Sequence, residues 1–190
     1  SICQFVEWLN HNGTTGYDPY DLWSTRYGTH TRRMFYRYGN AAALMVAPLV
    51  LADRLVPSIA RIGTEKKPYA TSHAHLILGL LKLYENGFGG KKDWLNRAVE
   101  LADELEQIKI QGYSGDCWGY PFDWENRRGF WPKNTPLITV TPYCFEALIA
   151  LYKATGDSIY LERAQSVIQF ALRDLNNIDR PGEAIASSYS

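Results

Sequence analysis

The chain has 190 residues, enough for one domain with a sizeable core, and its 46% hydrophobic and 14% aromatic content is a globular composition with an aromatic excess. Twenty basic and twenty acidic residues leave a formal net charge of zero, which offers no footprint for nucleic acid or for an anionic membrane surface. Cys3, Cys117 and Cys144 are odd in number and far apart, so a disulfide framework is not expected and a reducing, cytoplasmic setting is.

In chain order, Ile2, Phe5, Val6 and Leu9 predict a short first helix. Asn12-Gly13-Thr14 is a formal glycosylation acceptor, read as chance without a secretory context. From Gly13 to Tyr38 no apolar helical period stands out, and the stretch is read as a long loop. Within it Asp18 precedes Pro19, a helix-start signal that suits Asp18 to capping and leaves Asp21, with Trp23, to face a ligand. Arg26, Arg32, Arg33 and Arg37 alternate there with Tyr27, Phe35, Tyr36 and Tyr38. Taken alone that stretch suits phosphate or an acidic sugar, although solvation or pairing with an acidic loop is the commoner outcome. A helix from Asn40 to about Val56 follows, and Pro57 restarts a short turn that ends near Gly63. The longest apolar run, Ala41 to Val56, is cut by Pro48 and charged at Asp53 and Arg54, well short of the roughly 20 apolar residues of a membrane span.

Two later segments read as copies of one helical hairpin. Leu81 to Tyr84, a glycine turn and Trp94 to Leu105 overlay on Ile149 to Tyr152, a glycine turn and Tyr160 to Ala171, at offsets of 68 and then 66 residues. Apolar residues recur at helical spacing in both: Leu76, Leu80, Leu83 and Leu95, Ala98, Ala102, Leu105 in the first, Phe145, Leu148, Ile149, Tyr152 and Leu161, Ala164, Ile168, Ala171 in the second. Gly156 ends one helix and Asp157 or Ser158 caps the next. The reading is mostly α, with about six helices and short strand-like pieces at Trp118 to Phe122 and Ala184 to Tyr189. His73 and His75 precede the first long apolar helix, two apart and so diverging on its surface, which argues against a shared metal. The overlay sets His75 against Tyr143 and His73 against Thr141. His75 is read either as a residue lining a cleft or as a satisfied structural histidine, and Glu146 either caps nearby groups or points into the cleft.

Between the two copies lies a second long segment, Gln111 to Thr139. Its Asp116-Cys117-Trp118-Gly119-Tyr120-Pro121-Phe122-Asp123-Trp124-Glu125, closed by Phe130-Trp131-Pro132, holds three of the six tryptophans and three carboxylates. Aromatic surface spent outside a regular element suits a ligand platform, since sugar rings stack their C–H faces on Trp and Tyr while Asp, Asn and Arg bind their hydroxyls. Asp116, Trp118, Tyr120, Trp124 and Trp131 are the candidate binding residues. Asp123 and Glu125, two apart, project to one side of an extended segment and are candidate acid and base for glycoside cleavage. Their alternative is a solvated clasp with Arg127 and Arg128. Antiparallel hairpins stacked side by side would send both long segments out at one end, where they can meet.

Hairpins repeating every sixty to seventy residues, a Gly-Asp turn followed by Tyr160-Leu161 and Ala164, and Trp/Tyr/Asp-rich loops at one end resemble the α/α-toroid superfamily of six-hairpin glycosidases. Gly16 to Asp21 and Trp118 to Trp124 are similar to uncharacterised proteins associated with polysaccharide biosynthesis. The resemblance implies an all-α fold of antiparallel helical hairpins in a toroid-like arrangement, here a single domain of about half the twelve helices of a full toroid. It further implies a glycan ligand, hydrolase chemistry if the chain is an enzyme, and association of two copies through an exposed half-toroid face if the chain is an incomplete ring. No cofactor or metal is expected, since nothing resembles a Walker loop, a dinucleotide fingerprint, a zinc cluster or a nucleophile elbow. Tyr160-Leu161 and its neighbours also echo tetratricopeptide scaffolds that bind proteins, but the repeat is about twice their 34 residues. A terpenoid-cyclase-like toroid would need an Asp-rich motif that the chain lacks.

Overall fold

The computed structural model describes residues 2–18, 20–56, 58, 61, 64–89, 91–175, 177–178 and 186–187. Pro19 and most of the predicted turn from Pro57 to Gly63 lie outside them. The described fold is all-α, with helices joined by short turns or long irregular segments and two small antiparallel ladders. Among the described residues no helix is long and apolar enough to cross a membrane. The chain forms two compact units, one built from the chain up to Pro68 together with Pro121–Lys133, the other from Tyr69–Tyr120 and the chain from Asn134 onward.

In the first unit α1 (Ile2–Asn12) buries Val6 and Leu9 and leaves Ile2, Phe5 and Trp8 exposed. The stretch read as a loop is largely helical instead, forming α2 (Asp21–Ser24) and α3 (Arg26–Tyr38). Thr25 caps α3, its hydroxyl accepting from Gly28 N at 3.0 Å. Gly28 sits so close to α2 that a Cβ there would lie 2.4 Å from Leu22 O, and this approach lets the two helices pack. A 3-10 turn (Gly39–Ala42) leads into α4 (Ala43–Leu55), which carries Pro48 within it and leaves Leu44, Val50, Leu51 and Leu55 exposed. The second long segment contributes a hairpin of β1 (Trp124–Asn126) and β2 (Gly129–Trp131), whose first strand packs on α2 and α3.

The second unit holds the two predicted hairpins: α5 (Ala70–Glu85) with α6 (Lys91–Gln107), and α7 (Thr141–Thr155) with α8 (Ser158–Arg173). Helix α5 packs on both α6 and α7, and α7 on α8. Gly156 ends α7 in the left-handed region at φ 73°, and Asp157, rather than Ser158, caps α8 by accepting from Ile159 N at 3.0 Å. In α6 the predicted Ala98, Ala102 and Leu105 are buried, whereas in α5 and α8 the buried stripe is shifted from the one predicted. Ala74, Ile77 and Leu81 join Leu80 inside α5, while Leu76 and Leu83 are half-buried; Val167 and Phe170 take the inner face of α8, leaving Ile168 exposed. His73 lies on the buried face of α5, fully enclosed between bonds to Tyr69 O at 3.0 Å and Glu104 Oε2 at 2.9 Å. Trp118 to Phe122 is not a strand, and its one bridge pairs Gly119 with Pro136, where a Cβ on Gly119 would lie 1.9 Å from Thr135 O. Of the piece near Ala184 to Tyr189, Ala186–Ser187 (β4) pairs with Asn177–Ile178 (β3).

Candidate functional site

The two long segments do meet, inside the first unit. Tyr20, at the start of α2, sends its hydroxyl to both backbone groups of Glu125, donating to the carbonyl at 2.7 Å and accepting from the N–H at 3.1 Å. Its ring stacks on Phe122 with centroids 5.3 Å apart. Burial pushes the Tyr20 phenol above its ordinary value, against the lowering effect of its bond to Glu125. From α3, Arg33 donates Nε at 3.0 Å and Nη2 at 2.8 Å to one oxygen of Glu125, whose side chain is 7% exposed. That bond raises the Arg33 guanidinium further above its already high value. Arg33 also lies 5.0 Å from the centre of the Phe130 ring, and Phe130 is the cross-strand partner of Glu125.

Strand alternation puts Glu125 and Phe130 on the clamped face of the hairpin and Trp124, Asn126 and Trp131 on the other. Trp124 and Trp131 are directly paired across the strands, half-buried, with ring centroids 5.3 Å apart and planes at 38°. Beside the clamp, Arg32 sits among three rings, its guanidinium 4.9 Å from Tyr20, 5.3 Å from Trp23 and 5.7 Å from Tyr36, and donates to the Tyr36 hydroxyl at 2.7 Å.

Several expected site residues hold structural partners. Trp118 is 1% exposed and its indole donates to Leu105 O at 2.9 Å, so this ring belongs to the core and not to a platform. Asp21 is also 1% exposed, and its Oδ2 accepts from Asp18 N at 2.8 Å. The other oxygen of Asp21, Oδ1, is buried without a hydrogen bond, 3.7 Å from Lys67 Nζ. Asp18 is not the cap expected of it: Tyr20 holds the N-cap position of α2, and Asp18 Oδ1 accepts from Tyr20 N at 2.7 Å ahead of the helix. Asp123 and Glu125 hold different partners: Asp123 Oδ1 accepts from Lys133 N at 2.8 Å, whereas Glu125 binds Arg33 rather than Arg127 or Arg128. Asp116 pairs with Lys109 at 3.2 Å.

In the second unit Tyr120 is half-buried and its carbonyl accepts from Asn134 N at 2.8 Å. His75 and Tyr143 meet edge-on, ring centroids 4.8 Å apart, on exposed surface of the adjacent helices α5 and α7, and Glu146 is exposed one turn beyond Tyr143. The satisfied structural histidine is His73 rather than His75.

No protein-family model and no curated protein matches the chain. Among solved structures it is similar to the glycoside hydrolase family 76 (mannosidase) Bt3792 from Bacteroides thetaiotaomicron VPI-5482, at a TM-score of 0.46 and 13% identity. The match covers 88% of this chain and 48% of that one, so the chain spans about half the length of that structure. The likeness is distant.

Of the residues that organise the first unit, Tyr20 was not an expected site residue, while Arg33 does pair with the acidic loop as the basic stretch suggested. The signal for the arginines lay in the alternation of Arg with Tyr from Arg26 to Tyr38, once that stretch is set on a helix.

Proposed function

We propose that the chain binds a glycan on the aromatic face of the β1–β2 hairpin, in keeping with a role in polysaccharide metabolism. The observation that carries this reading is the Trp124–Trp131 pair, half-exposed on a hairpin whose opposite face is fixed by Tyr20 and Arg33. Stacking needs rigid rings held partly open, because ordering a loose side chain costs about as much as a stack contributes, roughly 0.5–1.5 kcal/mol. Asn126 on the same face, its Oδ1 accepting from Arg128 N at 2.7 Å, offers its amide N–H groups to sugar hydroxyls. Binding is favoured over cleavage, since Asp123 and Glu125 are each engaged by donors of the fold. Affinity electrophoresis through gels that contain a glycan panel tests it. Trp124→Ala and Trp131→Ala should lose retardation while keeping native far-UV circular dichroism, and Asp123→Asn, which preserves the acceptor for Lys133 N, should migrate as wild type. Retardation unchanged in both tryptophan variants contradicts the reading.

A second reading, a helical scaffold that holds a protein partner or a second copy of the chain, is favoured by one observation: Leu44 (87% exposed), Leu51 and Leu55 on α4, and Phe5 and Trp8 on α1, are large apolar side chains in solvent. Leu44→Glu with Leu51→Glu should change the sedimentation behaviour under that reading and leave it unchanged under the first.

A further inference from the structure

Helix α3 carries Arg26, His30, Arg33 and Arg37, spaced four, three and four residues apart and all exposed. At 3.6 residues per turn these fall within about 60° of one another and form a single stripe about 16 Å long. The face of α3 away from it, with Gly28 and Thr31, is buried. No acidic residue occurs in α3, and Tyr27 and Tyr38, both about half-exposed, flank the stripe along one edge. Arg37 lies 5.3 Å from the Tyr38 ring. Arg127 and Arg128, in the turn of the hairpin that packs on α3, add two more exposed guanidinium groups. The chain is neutral as a whole, yet the residues of the first unit include eleven Lys or Arg against seven Asp or Glu, so the second unit carries the compensating negative charge.

We infer that the glycan bound by the first unit is an anionic one, a polymer bearing carboxylates such as a polyuronate, and that Arg26 and Arg37 read its charges along the stripe, Arg33 being held by Glu125. The inference rests on the glycan reading above and names the class of ligand. Guanidinium groups match planar carboxylates through paired hydrogen bonds, and tyrosines at the rim suit sugar rings between the charges. Arginine repeated over three turns of one helix fits an extended polymer better than a single small anion. Nucleic acid is disfavoured because the chain is neutral overall, whereas domains that bind it carry a net basic charge.

The test is affinity electrophoresis of the intact chain with polygalacturonate, with a neutral polysaccharide, with single-stranded DNA and with anionic phospholipid vesicles. Wild type should be retarded by polygalacturonate in a manner that added salt weakens. Arg26→Gln with Arg37→Gln, both exposed and away from the Glu125 clamp, should weaken that retardation about tenfold or more and leave the neutral polysaccharide unaffected. Equal retardation of wild type and double variant overturns the inference. So does retardation of wild type by the neutral polysaccharide alone, a result that leaves the glycan reading standing. Stronger association with DNA or vesicles, insensitive to Trp124→Ala, overturns it in favour of those partners. Absence of retardation by every polysaccharide removes the glycan reading itself.

Discussion

A single phenol holds the first unit's hairpin in register: the Tyr20 hydroxyl serves the N–H and the carbonyl of Glu125 at once. Tyr20→Phe leaves both backbone groups without that partner, and a loss of about 1–3 kcal/mol is expected from the shift of the urea midpoint. Because burial raises the Tyr20 pKa, its ultraviolet ionisation step should come above the ordinary tyrosine value of about 10. The cysteines separate by burial. Cys3 is exposed, while Cys117 and Cys144 are buried and desolvation pushes the Cys117 thiol up to about 12. One equivalent of a thiol reagent should therefore be consumed in the native state and three after denaturation. The sign for stability follows from the raised folded value. The unfolded chain ionises Cys117 near its ordinary pKa of about 8.5 while the folded chain keeps the proton, so stability should fall as pH rises from there toward 12. A urea midpoint that does not decline across that window contradicts the assignment.

Among the elements, those with clean periodicity were legible in the sequence. The hairpins α5–α6 and α7–α8 were marked by leucines and alanines at helical spacing and by the Gly156–Asp157 turn, and they form where expected. Asp157→Ala should cost about 1 kcal/mol through loss of the cap, read as a lowered thermal midpoint. Helix α3 was not legible for a physical reason. It buries a narrow face containing Gly28 and Thr31, so its sequence carries little apolar period, and its partners are Leu22, on a helix of only four residues, and Glu125, 92 residues beyond Arg33 on β1. Trp118 was misplaced for the complementary reason. Its neighbours form no regular element, yet Gly119 lets the backbone approach Thr135, and the indole is carried inward to Leu105. Local composition cannot distinguish an aromatic residue tucked inward from one presented outward when a close glycine contact decides it. Trp118→Ala should cost about 3–5 kcal/mol, much more than Trp131→Ala, since the first opens a core cavity and the second strips a half-exposed ring.

For the whole molecule, neutrality concealed a division of charge and of roles. The second unit is a pair of well-packed hairpins; the first gathers the cation stripe, the paired tryptophans and the clamp on Glu125. The central claim is that the tryptophan face of the hairpin receives a glycan, and nitrogen–proton correlation spectra resolve the indole N–H groups of all six tryptophans directly. On titration with polygalacturonate or another glycan that retards the chain, the signals of Trp124 and Trp131 should move while those of the buried Trp118 and of Trp94, bonded to Phe88 and Gly89 carbonyls, stay in place. Shifts confined to Trp8 on α1, or no indole shift with any glycan at millimolar concentration, would contradict it.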